Sequence, residues 1–485
     1  MPLGRDLKII LSNLKGLFTV IGAIMLVMAA LSALLGDPQV ADGFFYGAVF
    51  GIVLGLILHS VFPASVEPEL KHAMVIAAIA YLVVSAISAI PFVVTEHMSP
   101  LDAFFEAISG WTTSGFSMIP EPQNSNPMIL LWRSVTQWIG GLGIIVLMVT
   151  ILIRPGTSTY LLYQSEARKD KILPSIQSTL KVIWGLYLAL TILDILLLLA
   201  VGQSAWDALN NAMTAISTGG YSLYSDSIAA YHSLSVELML LPIMVAAPLP
   251  FAVVYRTVRK GIRNLLKDTQ VRVFFLIIAV GALLLSIENY YFYHDIVATL
   301  RYSVFQFISA ASTTGFQSTD ISQWSQSALL LISIAMVIGG CAGSTAGGIK
   351  VARAIFIGNE VKLWLARMLH TKNSIVAIKI GGKRVTEDII EQEMAEASLI
   401  SFLWLISIVV SVLLLSHIVG SQFDLSHIIF DVCSAQGNVG LTSGVVNSSL
   451  PALGKLLVIV NMWIGRLEII PIMILVRYVF KGFRI

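Results

Sequence analysis

The sequence predicts an all-α polytopic membrane protein with four pseudo-symmetric span–pore-loop–span repeats, preceded by two extra transmembrane helices. Three observations predict it. The chain is 56% hydrophobic and only 12% charged, where a soluble domain carries roughly a quarter charged residues. Its apolar residues fall in runs of about 20, the length that crosses a bilayer core as helix. Four short segments also share one layout, each ending in a glycine: Gly115, Gly220, Gly315 and Gly440.

The spans come first. Residues 17–35, 73–95 and 333–349 hold no charged side chain, and 44–62 holds only His59. Such runs mark ten spans, near 17–35, 43–62, 73–95, 128–153, 179–201, 235–255, 271–291, 326–349, 397–419 and 453–479. Arg5, Lys8 and Lys15 precede the first run as in a signal peptide, but the run is too long for an h-region and reads as a retained span. The chain divides into a two-helix extension (1–70) and four pore repeats (71–155, 156–260, 261–394 and 395–485), the third carrying a gating loop and a cytoplasmic hairpin.

The pore segments come next. Two residues before each glycine stands Thr113, Thr218, Thr313 or Asn438, and one residue after it Phe116, Tyr221, Phe316 or Leu441. Sixteen residues before it stands a helix-capping type: Ser99, Ser204, Thr299 or Asp424. The fifteen residues between cap and glycine are too few to cross; a helix of about eleven residues is about 17 Å long. Asp102 and Asp207 follow Ser99 and Ser204 in a capping-box variant, and Pro100 suits a first helical position. Each short helix then points its partially negative C-terminus at the membrane centre. The glycine permits positive φ in the loop that follows, and backbone that is not helical survives at that depth only where it is buried in protein or lines water. Carbonyls freed there can replace the hydration shell of a cation. Four re-entrant hairpins with a packing role are the competing reading, against which the matched spacing counts.

Charge is segregated although the formal net charge is only +2. The positive-inside rule places both termini in the cytoplasm, with Arg154, Arg168, Lys169, Lys171, the basic residues of 256–272 and 350–384, and Arg477, Lys481 and Arg484. The opposite side, with all four glycine loops, has Arg301 and Lys455 as its basic exceptions and carries Glu96, Asp102, Glu106, Glu121, Asp207, Asp226, Glu288, Asp295, Asp320 and Asp424. An acidic outer mouth concentrates cations. Cys341 and Cys433 read as buried thiols, and the eight histidines show no metal-ligand spacing.

The loops Thr112-Thr113-Ser114-Gly115-Phe116, Ser217-Thr218-Gly219-Gly220-Tyr221, Ser312-Thr313-Thr314-Gly315-Phe316 and Gly437-Asn438-Val439-Gly440-Leu441 resemble degenerate potassium-channel filters. Four in one chain resemble the Trk/Ktr/HKT superfamily of potassium transporters, and the run 137–143 (QWIGGLG) is similar to that family's signature. The extra pair of spans resembles the TrkH branch. The resemblance implies K+ selection by the four loops, with the backbone carbonyls of Thr113, Thr218, Thr313 and Asn438 as K+ ligands. Sodium-selecting relatives carry serine where this chain has Gly115. The fourth loop departs most from the threonine pattern, and none has the longer Tyr-Gly ending of true channels, which implies fewer stacked carbonyl rings. The resemblance further implies a bacterial inner-membrane homodimer with a cytosolic TrkA-type ring that binds NAD or ATP. This chain has no Rossmann fingerprint, so nucleotide would act only through that partner. Nothing points to nucleic acid.

Two features lie on the cytoplasmic side of the loops. Residues 339–348 hold Gly339, Gly340, Gly343, Gly347 and Gly348, five glycines that break a helix. They read as an intramembrane gating loop, as the resemblance also implies, or else as close helix packing. The match of 343–350 to a phosphate-binding loop is out of register and follows no strand, so it is rejected. Arg466 stands in the last span where the first repeat has Gly141. A mid-membrane charge costs on the order of 3 kcal/mol and should face the interior, as a barrier to cations that bonds the gating loop or as a structural partner of Glu468. Asp194, Glu237 and Arg133 also lie in spans and are candidates for coupling or buried pairing. In the cytoplasmic stretch, 373–386 reads as a hairpin and 387–396 as a helix leading into the next span.

The function these features support is potassium uptake rather than enzymatic catalysis. An uncoupled K+/Na+ channel is the alternative. An intramembrane enzyme would need a Ser/His, HExxH or paired-Asp constellation, which the sequence lacks.

Overall fold

The structure, a computed structural model, describes residues 5–63, 68–143, 176–369, 379–380, 383–384 and 387–482. Helices α1 (Arg5–Leu34) and α2 (Pro38–Val61) form an antiparallel hairpin. Asp37 caps α2, accepting from the Val40 amide at 3.3 Å. The hairpin closes through small residues: a Cβ on Gly22 would lie 2.8 Å from the Ala48 carbonyl oxygen, an approach only glycine allows. Its outward face exposes Phe45, Tyr46, Phe50 and Val53, the surface that lipid covers in a spanning helix.

A succession of long helix, short helix and outgoing helix then recurs four times. The first is α3 (Leu70–Ser88) with its bent continuation α4 (Ile90–Thr95), α5 (Pro100–Trp111) and α6 (Pro127–Leu142). The second is α7 (Ile176–Ala200), α8 (Ala205–Ile216), α9 (Leu234–Ala246) and α10 (Phe251–Lys260). The third is α11 (Thr269–Tyr293), α12 (Ile296–Ala311), α13 (Gln326–Ile338) and α14 (Val351–Leu369). The fourth is α15 (Glu387–Val419), α16 (Leu425–Gly437), α17 (Ala452–Leu467) and α18 (Ile470–Phe480). Between α14 and α15, β1 (Lys379–Ile380) pairs antiparallel with β2 (Lys383–Arg384). The expected hairpin shares this register, and its remaining residues lie outside the described ones.

The short helices start largely where their caps predict. The Ser99 and Ser204 hydroxyls accept from the Asp102 and Asp207 amides at 3.2 and 3.0 Å. Asp424 occupies the fourth cap position without a side-chain cap bond. The third differs from expectation. Asp295, not Thr299, caps α12 by accepting from the Ala298 amide at 2.8 Å, and α12 is a turn longer. Thr299 instead bonds back to the Asp295 carbonyl at 2.6 Å. Either residue can cap; the aspartate comes first in the chain and its carboxylate reaches the amide.

The outgoing helices break within the expected spans 235–255, 326–349 and 453–479; the break at Gly339 is the one that the five glycines of 339–348 predict, and the other two correct the expectation. α9 stops before Pro248 and Pro250, and α10 leaves at 103°; each proline lacks the N–H that would continue the helix. α13 stops at Gly339, with φ 67°. α17 stops at Glu468 and Ile469, φ 59° and 65°, and α18 leaves at 115°. α6 likewise stops at Gly143, with φ 100°; the rest of the span expected over 128–153 lies outside the described residues. These breaks turn the chain aside below the four glycine loops.

Candidate ion-conduction site

The loops after α5, α8, α12 and α16 are built alike. Thr113, Thr218, Thr313 and Asn438 have φ of 56°, 54°, 56° and 52°, and Gly115, Gly220, Gly315 and Gly440 have φ of 81°, 70°, 80° and 89°. Each loop therefore contains two left-handed residues where the sequence announces one. The first ends the helix in a Schellman motif. Thr113 N donates to the Gly110 carbonyl at 3.0 Å and Ser114 N to Ser109 at 2.9 Å. Thr218 and Gly219 donate to Ala215 and Thr214, Thr313 and Thr314 to Ala310 and Ser309, and Asn438 and Val439 to Ala435 and Ser434. The amides are consumed by the helix end. Among the described residues no hydrogen bond is donated to the carbonyls of Thr113, Ser114, Thr218, Thr313, Thr314, Asn438 or Val439, although these residues are almost wholly buried. Buried carbonyls need a partner.

The loops also close on one another. A Cβ built on Gly115 would lie 2.1 Å from the Gly219 carbonyl oxygen, one on Gly220 2.1 Å from that of Thr314, one on Gly315 1.8 Å from that of Val439, and one on Gly440 2.3 Å from that of Ser114. Each glycine makes room for the carbonyl that precedes the next glycine, and the fourth returns to the first. Ser114, Gly219, Thr314 and Val439 thus supply a ring of four main-chain oxygens one residue beyond Thr113, Thr218, Thr313 and Asn438, and four helix C-termini end at it.

In three of the four loops the segment that leaves the glycine is held by a side chain nine residues before that glycine, which sequence reading missed. Glu106 accepts from the Met118 amide at 2.7 Å and the Ser117 hydroxyl at 3.1 Å. Asp431 accepts from the Ser443 and Val446 amides, both at 2.7 Å. Gln306, its amide turned to satisfy both neighbours, accepts from Ser318 N at 2.8 Å and donates to the Phe316 carbonyl at 3.1 Å. Asn211, in the same place in α8, instead donates to Tyr231 at 2.9 Å and Gln203 at 3.3 Å. Gln137 adds a brace, donating to the Gly219 carbonyl at 2.8 Å and accepting from the Tyr221 amide at 3.1 Å.

Arg133 is a partner of the first short helix. Its Nε donates to Glu106 at 2.7 Å, its Nη1 to the Ser222 carbonyl at 3.0 Å, and its guanidinium lies 4.1 Å from the centre of the Tyr221 ring. Glu237 is bidentate to Arg301 of α12 at 2.6 and 2.9 Å. Asp194 is buried in α7, and among the described residues neither carboxylate oxygen has a hydrogen-bond partner.

The glycine-rich segment lies directly below. Cys341 N donates to the Pro248 carbonyl at 2.9 Å, Phe251 N to Gly343 at 3.1 Å, and the Thr345 hydroxyl to the carbonyls of Ile216 and Ala247 at 3.2 Å. Gly347 N donates to the Thr313 hydroxyl at 2.9 Å, and a Cβ on Gly347 would lie 2.0 Å from the Gly437 carbonyl. Gly339 is packed against Gly347 and Gly348, and Gly340 against Pro248. Arg466 joins this segment to the first loop, donating to the Thr345 carbonyl at 3.1 Å, the Thr113 hydroxyl at 3.3 Å, the Gly141 carbonyl at 3.1 Å, the Gly140 carbonyl and the Tyr81 hydroxyl. Glu468 pairs with Arg353 instead of Arg466. Among the described residues no cluster of His, Cys, Asp or Glu forms a metal site.

Spanning helices around a ring of main-chain oxygens, with a glycine-rich segment and an arginine beneath, define a membrane protein for passing cations rather than an enzyme. Residues 38–481 match the TrkH family of cation transport proteins, and the chain belongs to that family. An uncharacterised cation transporter of Methanocaldococcus jannaschii is 34% identical over 472 residues, 97% of this chain and 95% of that protein. The Trk system potassium uptake protein TrkH of Halomonas elongata is 29% identical, over 90% and 92% of the two chains. Its Escherichia coli K12 namesake is 28% identical, over 84% and 86%. The crystal structure of the potassium transporter TrkH from Vibrio parahaemolyticus covers 95% of this chain and 98% of its own, with a TM-score of 0.79 at 24% identity, and shares the fold.

Proposed function

We propose that the chain is the membrane subunit of a potassium uptake system, passing K+ along the axis of the four glycine loops. The observation that carries the reading is the closed ring of Ser114, Gly219, Thr314 and Val439 carbonyls, each opposite a glycine of the neighbouring loop. Oxygens already buried, three of the four accepting no hydrogen bond among the described residues, exchange for K+ hydration at little further cost. The curated relatives named as potassium uptake proteins support the choice of ion. The oxygens of Thr113, Thr218, Thr313 and Asn438 form the next ring down.

The resting plug is residues 339–348, with Arg466 as an electrostatic barrier locked to it and to Thr113. Opening withdraws Gly347 from Thr313 and breaks the Arg466–Thr345 bond. A cytosolic nucleotide-binding ring acting on α14 and the β1–β2 hairpin fits this geometry, because α14 leaves directly from the plug and its Arg353 holds Glu468 beside the bend after α17. Both termini then lie in the cytoplasm, and the transporter works as a dimer in the inner membrane.

Uptake of 86Rb+ into proteoliposomes, competed by K+ and by Na+, tests the reading. K+ is expected to compete and Na+ to fail; equal competition overturns K+ selection. Measuring flux against separate proton and potassium gradients distinguishes coupled uptake from an uncoupled channel.

A further inference from the structure

The two acids that hold post-glycine segments are not equivalent. Glu106 is paired with Arg133. Asp431 forms no ion pair among the described residues, yet it is fully buried in α16. Its Oδ1 accepts from the Ser443 amide at 2.7 Å and the Ser443 hydroxyl at 2.8 Å, and its Oδ2 from the Val446 amide at 2.7 Å and the Thr442 hydroxyl at 2.8 Å. Each oxygen thus faces a backbone N–H and a hydroxyl, contacts that an ionised carboxylate accepts.

The third loop is held without a charge: the neutral Gln306 donates to the Phe316 carbonyl and accepts from Ser318 N. Asp431 instead meets donors only and brings a carboxyl group to the same place in the repeat. A buried carboxylate without a cation is costly unless a counterion arrives, and residues 442–446, which it grips, follow immediately on Gly440 of the oxygen ring.

We propose that the counterion of Asp431 is the cation bound in the ring, which makes Asp431 a residue that sets the transporter's affinity for its ion. This rests on the ring binding a monovalent cation. The field of a charge behind the oxygens acts on any such ion alike, so it governs occupancy; the oxygens themselves discriminate between ions.

The test is initial 86Rb+ uptake by the full-length protein in proteoliposomes, as a function of Rb+ and of K+ concentration. For Asp431→Asn the half-saturating concentration is expected to rise roughly tenfold, by the same factor for both ions, with the maximal rate retained. A folded Asp431→Asn protein with parental half-saturation overturns the proposal, and so does one in which the K+/Rb+ ratio changes while half-saturation does not, since that is the mark of a clasp and nothing more. Melting of the purified variant establishes folding. Should the asparagine amide disrupt the site against the Val446 or Ser443 N–H, Asp431→Ser, which leaves space for water, carries the same expectation. Parent protein that takes up neither ion refutes the potassium reading itself; the variant-to-parent comparison then uses whichever monovalent cation the parent carries.

Discussion

Gly115→Ser strikes the ring with the least chemical change elsewhere. A Cβ at this position would come 2.1 Å from the Gly219 carbonyl oxygen, whereas Cβ atoms essentially never approach a heavy atom within 3.0 Å. One of the two must retreat by about 0.9 Å, and the Gly219 carbonyl is itself held by Gln137 at 2.8 Å. The serine must also adopt φ near 81°, at a cost of roughly 1–2 kcal/mol for an L residue. The fold absorbs a strain of that size, but the oxygen ring loses its even spacing. K+ gives up its hydration shell only for a well-placed set of oxygens, so the loss falls on K+ more than on an ion that keeps its water. The expected result is a fall of about tenfold or more in the preference for K+ over Na+, equivalent to ~1.4 kcal/mol, with a melting temperature within a few degrees of the parent. Competition of 86Rb+ uptake by the two ions reads this directly. A folded Gly115→Ser transporter with parental preference would refute the claim that Gly115 makes room for an ion-binding carbonyl.

Arg466→Ala removes a charge and its bonds to Thr113, Thr345, Gly140 and Gly141, and basal 86Rb+ flux is expected to rise about tenfold or more; unchanged flux in folded protein contradicts the barrier. Arg133→Leu strands the buried Glu106 carboxylate, with an expected destabilisation of about 3–5 kcal/mol, measured as a large drop in melting temperature or loss of folded protein from membranes. Asp194→Leu removes a buried acid whose two oxygens have no partner among the described residues, and a gain of about 1–3 kcal/mol is expected by thermal melting; the same variant reports on coupling, because uptake driven by a proton gradient is lost if Asp194 carries the proton.

Legibility from sequence followed the range of the interactions. The capping of α5 and α8 depends on Ser99 and Ser204 and their near neighbours, so offsets along the chain sufficed. The cap of α12 failed because Asp295 competes with Thr299 four residues later, and periodicity does not rank two capable residues. The bend after α9 was signalled by Pro248 and Pro250, whose breaking effect is local, but the apolar run hid it. The bend after α17 has a signal only on its far side, Pro471 in the first turn of α18. Glu468 and Ile469 hold positive φ without glycine or asparagine, so packing and the Arg353 contact impose the turn from outside. The four left-handed residues are the same case, since three are threonine, a type that avoids this region. Closure of the ring joins residues more than ninety apart and leaves no local trace beyond the glycines. The residues nine before each glycine were within reach of the repeat alignment, but Glu106, Asn211, Gln306 and Asp431 share polarity rather than identity.

The threonines pose the remaining question, because glycine would hold the same turn without strain. A β-branched residue in a left-handed conformation costs of order 1–3 kcal/mol, and three loops carry one. The hydroxyls of Thr313 and Thr113 account for two of them, while that of Thr218 bonds, among the described residues, only the adjacent Ser217 carbonyl. Thr313 accepts from the Gly347 amide at 2.9 Å, and Thr113 from Arg466 at 3.3 Å, so two of the three are the contacts through which the plug and its arginine meet the ring. In the fourth loop the left-handed residue is Asn438, a type that tolerates the conformation, and its amide donates to the Ser114 hydroxyl at 2.7 Å and the Met462 carbonyl at 2.8 Å, bracing the ring rather than the plug. Thr313→Gly should therefore separate stability from gating. It relieves local strain, offset in part by the greater chain entropy of glycine, so melting is expected to rise or hold within about 1 kcal/mol. It also removes the acceptor of the Gly347 amide, leaving a buried N–H unpaired only while the plug is seated, which favours the open state by about 1–3 kcal/mol. Basal 86Rb+ flux is then expected to rise several-fold, whereas Thr313→Ser keeps the hydroxyl and the parental flux. A Thr313→Gly protein that melts early and passes no more Rb+ than the parent would show that the threonine serves the fold and not the gate.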